Sequence, residues 1–257
     1  MDLAVIIGVV IAFGAIFASV FMEGGSPVVI FLLPPLLLVF GGTIGAAIAG
    51  GTMQDAKGLG GLLKKAFTAK ITPPDEAVAT LVSLAERARK EGLLALEDAV
   101  KDVNDPFLKQ GLGLAIDGTD PDEVRGILES QVDAKRAVDK AGAKIFGDMG
   151  GYSPTIGIIG TVFGLIHVLE NLSKPAELGH LIAAAFIATL WGVMSANVLF
   201  LPLAARLKRI SDLEIGHMEV VIEGVAAIQA GANPRVVAQR LSSLLPPKPP
   251  EAAKKAA

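Results

Sequence analysis

Residues 151–172 read GYSPTIGIIGTVFGLIHVLENL, and the fold turns on this stretch. Up to Glu170 it carries no Asp, Glu, Lys or Arg, and about 20 apolar residues suffice to cross the hydrocarbon core of a bilayer as a helix. The same stretch holds Pro154, glycines at 157, 160 and 164, Thr161 and His167, and proline and glycine weaken a helix in water. In lipid such positions are tolerated where neighbouring groups take up the backbone they free. Pro154, Gly157, Thr161 and Gly164 recur at helical spacing and so share one face. The stretch predicts a membrane span whose weak positions are gathered on the side that meets a partner.

The rest of the chain supports a membrane protein. Its 257 residues are 52% hydrophobic and 19% charged, with a mean hydropathy of +0.56, too apolar for an ordinary soluble domain. Uncharged runs occupy residues 3–21, 28–50, 150–169 and 181–204. The first lacks a basic flank and a small-residue cleavage site, so it is expected to be retained rather than removed as a signal peptide. The expected fold is an all-α integral membrane protein with four transmembrane helices, a large helical cytoplasmic loop and a helical C-terminal tail. The expected layout is two spans in 1–50, the cytoplasmic loop in 51–146, two spans in 147–205, cytoplasmic helices in 206–245 and a disordered tail in 246–257. There is no cysteine, which excludes disulfides and thiol chemistry, and a net charge of −3 gives no case for nucleic acid.

Orientation follows from the cations. Of the 23 Lys and Arg, only Lys174 lies outside the segments 51–144 and 206–257. Both termini and the large loop are therefore expected in the cytoplasm. In the loop, ITPPDEAVATLVSLAERARKEG opens with Thr72 before two prolines and repeats apolar residues at 77, 81, 84 and 88 until Gly92, an amphipathic helix with a stop. A second helix opens at Asp120 with Pro121 behind it and runs without a breaker into the third span. Helical period continues after the fourth span, and GANPRVVAQRLSSLL reads as a short helix after a break.

Small residues recur in the spans at Gly42, Gly45, Ala46 and Ala49, at Gly157, Gly160 and Gly164, and at Ala184, Ala188, Gly192 and Ala196. Such faces let helices approach closely in lipid, within one chain or between subunits. Pro34 and Pro35 are expected to kink the second span, Pro154 to bend or start the third, and Pro202 to bend the fourth. Thr161 and Thr189 lie mid-span, with Thr155, Ser195 and Asn197 nearer the cytoplasmic side. Each hydroxyl is either a helper to its own backbone or a functional oxygen. His167 reads as an interfacial residue or a relay. No Asp, Glu, Lys or Arg falls inside the uncharged runs, so if ions pass, a partner supplies the carboxylate. No phosphate loop, nucleophile elbow or zinc pair is present, and the chain is not expected to be an enzyme.

The block SPTIGIIGTVFGLIHVLENLSKPAELGHLIAAAFIATLWGVMSANVLFLPLAARLK, residues 153–208, resembles the last two spans of the MotA family, the ion-channel subunits of bacterial flagellar stators. The four-span layout agrees over nearly the whole chain. The resemblance implies an inner-membrane protein that couples a proton or sodium gradient to rotation. It implies five copies around two copies of a MotB-like single-span partner, whose membrane aspartate carries the ion, and a push on the rotor switch protein FliG. No cofactor is implied beyond the translocated H+ or Na+. Pro154 in SPTIG and Pro202 in LPLAA match the family's membrane prolines, which are thought to couple ion passage to movement. RKEGLLALE matches the rotor-facing pattern R-x-x-G-x-x-x-L-E and gives Arg89 and Glu97. Thr161 and Thr189 match threonines of sodium-type relatives, some proton-type relatives keep the first, and the ion stays open. The alternative is the related ExbB/TolQ group, which powers outer-membrane work with three spans and an external amino terminus. The four spans and the RKEGLLALE loop argue against it, and an ordinary transporter would show intramembrane charge or inverted repeats.

Overall fold

The computed structural model describes residues 4–69 and 74–245. The expected Thr72 cap and the disordered tail at 246–257 lie outside the described residues.

Every regular element among the described residues is helical. Helix α1 (Ala4–Met22) is followed by a turn through Gly24, whose φ of 78° suits glycine, and a 3-10 turn at Pro27–Ile30. Helix α2 (Leu33–Ala49) includes a π-helical segment at Leu37–Gly41. Helix α3 (Met53–Thr68) opens on a capping box in which Thr52 and Asp55 satisfy each other's backbone N–H. Helix α4 (Pro74–Glu91) stops at Gly92, where φ is +85°. A 3-10 turn (Leu93–Ala95), α5 (Leu96–Lys101) and α6 (Pro106–Ile116), capped by Asp105, follow. Helix α7 runs for 50 residues (Pro121–Glu170), α8 runs from Pro175 to Gln229, and α9 (Pro234–Ser243) is capped by Asn233. The helices expected beyond the third and fourth spans are thus continuous with those spans. Helices α5 and α6 carry no strong period in the sequence and emerge only in the fold.

The second span differs from expectation. Pro34 and Pro35 do not kink a helix starting near Val28; they occupy its first turn, and α2 begins at Leu33. A proline there lacks only an N–H that has no helical acceptor, so the cost of a mid-helix kink is avoided. The missing Pro34 N–H would have met the Ile30 carbonyl. That buried oxygen instead accepts a 2.6 Å hydrogen bond from the indole Nε1 of Trp191, itself 5% exposed. Pro154 lies inside α7, and Pro202 lies two residues beyond a π-helical segment at Ser195–Phe200, a local widening that accommodates the missing bond. Helices α1, α7 and α8 are long and apolar enough to cross a membrane by length and composition, and α2 is a shorter apolar helix.

The chain divides into two units, Met1–Lys70 with Val138–Ile210, and Ile71–Ala137 with Ser211–Ala257. The first is held by an aromatic chain from Phe13 through Phe17, Phe31, Trp191 and Phe40 to Phe200, with ring centres 5.5–6.3 Å apart. Its outer surface carries exposed Ile11, Phe163, Phe186 and Val193, as a lipid-facing surface requires. The second unit has a soluble-type core of Leu81, Leu96, Leu112, Leu128, Val221, Ile228 and Leu241. There α7 and α8 are joined by Lys135–Glu214 at 2.6 Å, Arg136–Glu219 at 3.1 Å and Arg125–Glu223 at 2.7 Å. His217 Nε2 donates to Asp105 at 2.5 Å. Burial pushes the Asp105 carboxyl up, but that bond and those from the Leu108 and Phe107 N–H groups outweigh it and hold it below its ordinary value.

Candidate functional site

Within the first unit, α7 and α8 approach so closely that glycine is required. A Cβ at Gly157 would stand 2.8 Å from the Ala188 carbonyl oxygen and 3.1 Å from the Gly192 Cα. One at Gly192 would stand 2.7 Å from the Ser153 carbonyl oxygen, and one at Gly164 would meet the Ala185 Cβ at 2.5 Å. The glycines of the opening stretch are therefore packed on the fourth span. Ala185, Ala188 and Gly192 supply a matching small surface on the same chain.

This approach builds a cluster of oxygens at mid-span. The Thr161 hydroxyl bonds to that of Thr189, and it lies 3.2 Å from the carbonyl oxygens of both Gly157 and Ala185. Thr189 Oγ1 lies 3.3 Å from the Gly157 carbonyl oxygen. Two hydroxyl protons thus face a larger set of acceptors, so the bonds can be exchanged without displacing a helix. Both threonines are half-buried. Hydroxyl and carbonyl oxygens are the ligands a hard cation takes, and they also pass a proton along a hydrogen-bond chain.

Pro154 lies on α7 between this cluster and the amino-terminal part of the helix, and the Gly150 carbonyl opposite it loses its helical donor. Beside it the hydroxyls of Ser153 and Ser195, both 0% exposed, share a 2.6 Å bond. The sequence reading did not single out Ser153. Its signal was the position four residues before Gly157 on the same face. Pro202 is exposed on α8 and is not brought to the threonines. Nor is His167: its ring is exposed and bonded to Glu170 at 3.3 Å, an interfacial arrangement. Thr155 and Asn197 bond to the carbonyls of Tyr152 and Val193 within their own helices. Thr43 on α2 is fully buried with a hydroxyl that has no partner among the described residues.

In the second unit, Arg89 and Glu97 stand on either side of the tight turn at Gly92, Arg89 near the end of α4 and Glu97 at the start of α5. Both side chains are exposed, and neither makes an ion pair or hydrogen bond among the described residues. Their neighbours are already matched: Arg87 pairs with Glu91 at 3.4 Å and Lys101 with Asp98 at 2.8 Å. The hydrogen bond from Lys101 and its charge hold the Asp98 carboxyl below its ordinary value. Exposed Leu94 caps the hairpin. Among the described residues, no group of His, Cys, Asp and Glu is placed to hold a metal ion.

Comparison with known proteins agrees with this geometry. The Motility protein A N-terminal family matches residues 6–92, and the MotA/TolQ/ExbB proton channel family matches residues 99–220. The chain is 38% identical over 249 residues to Motility protein A of Bacillus subtilis, covering 96% of this chain and 92% of that one. It is 34% identical over 245 residues to the chemotaxis protein PomA of Vibrio alginolyticus, covering 95% and 96%. The structure of C. jejuni MotAB superposes with a TM-score of 0.92 at 31% identity, covering 97% of this chain and 98% of that chain. The flagellar MotAB stator complex from Bacillus subtilis superposes with a TM-score of 0.89 at 37% identity, covering 98% of each. With nearly its whole length matched in sequence and in fold, the chain belongs to the MotA/TolQ/ExbB proton channel family.

Proposed function

We propose that this chain is the ion-conducting stator subunit of a bacterial flagellar motor, embedded in the inner membrane with a MotB-like single-span partner. The observation that carries the mechanism is the Thr161–Thr189 oxygen cluster in spans that contain no carboxylate. A charge-bearing partner helix is needed to complete it, and the MotAB complexes that superpose on the chain support such a partner.

In this reading the four spans are α1, residues 27–49, and the apolar parts of α7 and α8, with both termini cytoplasmic as the distribution of cations favours. The ion, H+ or Na+, reaches the partner's aspartate past Thr161 and Thr189, whose hydroxyls trade their mutual bond for one to the ion. A hydrogen bond of this kind is worth about 1 kcal/mol, and a charge falling through 100 mV delivers about 2.3 kcal/mol. One ion is therefore enough to exchange the bonds and leave energy for movement. Pro154 and Pro202 let α7 and α8 flex where the backbone already lacks a bond. Movement reaches the hairpin, where Arg89 and Glu97 offer unpaired opposite charges to the rotor protein FliG. A ring of five copies would repeat this surface around the partner. The chain performs no covalent chemistry.

The test is swimming of a stator-deleted host complemented with this chain and its partner. Joint Thr161→Val and Thr189→Val is expected to abolish swimming while the complex still co-purifies; normal swimming would overturn the pathway. Arg89→Glu with Glu97→Lys is expected to impair torque and leave insertion intact, and full torque would remove the rotor assignment. Unchanged swimming in sodium-free buffer, with loss on adding a proton uncoupler, identifies H+.

A further inference from the structure

Helix α3 belongs to the first unit and packs through Leu59, Leu62, Ala66 and Phe67 on Phe146, Met149, Leu203 and Leu207. These partners stand where the apolar runs of α7 and α8 end, close to the contact that Gly150 makes with Leu201. Around this core the charges are unequal. The acids of the first unit beside it are engaged, Asp55 with Thr52, Asp139 with Lys65 at 3.1 Å and Asp148 with Lys144 at 2.6 Å, and one further acid, exposed Asp212, follows Lys208 by one turn of α8 without forming an ion pair among the described residues. Lys57, Lys64, Lys140, Lys208 and Arg209 are exposed, and none has an ion pair or side-chain hydrogen bond among the described residues. Lys57 and Lys64 are two turns apart on the exposed side of α3, which also carries exposed Met53 and Leu63. Lys208 and Arg209 follow buried Leu207, about 10–12 Å along the helix from Leu201 at 1.5 Å per residue. Counted from Ala204, where the uncharged run ends, the rise is only about 6–7.5 Å, which matches a headgroup layer of about 5–7.5 Å on each side of the hydrocarbon core.

Five exposed cations that make no ion pair among the described residues, beside apolar side chains at the end of a set of spans, fit one kind of partner. We propose that Lys57, Lys64, Lys140, Lys208 and Arg209 form a binding surface for the phosphates of anionic phospholipids in the adjoining leaflet. The inference rests on the membrane placement of the spans. The charge surplus favours acidic headgroups over zwitterionic ones, and Met53 and Leu63 add apolar contact with the acyl boundary.

The test uses the full chain co-purified with its partner and reconstituted in equal parts of phosphatidylglycerol and phosphatidylcholine, the retained lipid being counted by mass spectrometry. Phosphatidylglycerol is expected to be enriched, with roughly a five-fold fall in preference for each cation removed at low salt. The enrichment shrinks as ionic strength rises. Replacing all five by Gln is expected to abolish it, and Arg at the four lysine positions to keep it. Equal retention of the two lipids by the wild type, or unchanged enrichment in the five-site Gln variant, overturns the proposal. So does displacement of the lipid by millimolar inorganic phosphate, which would make the surface a soluble-anion site. Flotation of each variant with vesicles scores insertion separately, so failure of the lipid surface and failure of the membrane placement give different results.

Discussion

Replacing Gly157 by Ala tests the closest contact in the membrane unit. The added methyl would stand 2.8 Å from the Ala188 carbonyl oxygen, 3.1 Å from the Thr189 Cα and 3.1 Å from the Gly192 Cα. All three are backbone atoms, so no side chain can turn aside. Ordinary contact needs about 3.5 Å, so α8 must retreat by roughly 0.5 Å or more at the level of Thr161 and Thr189. Overpacking of this kind costs about 1–3 kcal/mol, and backbone neighbours place it near the upper end. Alanine returns up to about 1 kcal/mol of helix propensity. The net expectation is a loss of about 2 kcal/mol, roughly a thirty-fold shift toward the unfolded chain, with impaired ion-driven swimming because the two hydroxyls move apart. Gly126→Ala provides the control, since Gly126 lies in the same helix with nothing within 4 Å and should stabilise by about 0.5–1 kcal/mol. Reversible unfolding of the full chain in detergent micelles measures both. Equal stabilisation by the two substitutions would refute the close contact between α7 and α8.

Trp191→Phe keeps the ring packed between Phe31 and Phe40 but removes the donor to Ile30, and the stranded carbonyl should cost about 1–3 kcal/mol in the same unfolding assay; no loss would mean that another donor serves this oxygen. Asp105→Asn tests the His217 link: because the Asp105 carboxyl is held below its ordinary 3.8, its stabilisation is fully present above that pH and is lost as pH falls through the lower folded value. The variant should therefore be less stable by about 1–2 kcal/mol at neutral pH, with the gap closing in strong acid; a gap independent of pH would show that the charge plays no part. Ser153→Ala leaves the buried Ser195 hydroxyl with only the Gly192 carbonyl at 3.3 Å, and should cost about 1 kcal/mol, measured against a Ser153→Ala, Ser195→Ala pair that recovers part of the loss.

Much of this protein could be read from local chemistry. The uncharged runs had to be helices in lipid, where every backbone group must be satisfied within the segment. The stop at Gly92 followed from a residue that accepts positive φ, the cap at Asp120 from a carboxylate one residue before a proline, seen in its 2.9 Å bond from the Asp122 N–H. The family resemblance pointed to Thr161 and Thr189. Arg89 and Glu97 could be placed on a helical hairpin because a glycine stop stands between them.

What depends on contacts between distant residues was not legible. Pro34 looks the same in sequence whether it kinks a helix or begins one; the choice is made by Trp191, a donor 161 positions from the Ile30 carbonyl it satisfies. The glycines of the third span could equally have met another chain, and Ala185, Ala188 and Gly192 settle that they meet the fourth span, because two small surfaces approach until backbone touches backbone. Helices α5 and α6 are short, and their Leu96 and Leu112 gain a reason to be helical only when buried against Leu128 and Val221 in one core. The sequence alone determined which runs are apolar enough to enter lipid and which oxygens and charges the chain carries, since those are set by residue type over a few turns. Only the tertiary structure decided which oxygens converge and which charges are left unpaired, because a hydrogen bond or an ion pair is a property of two positions at once.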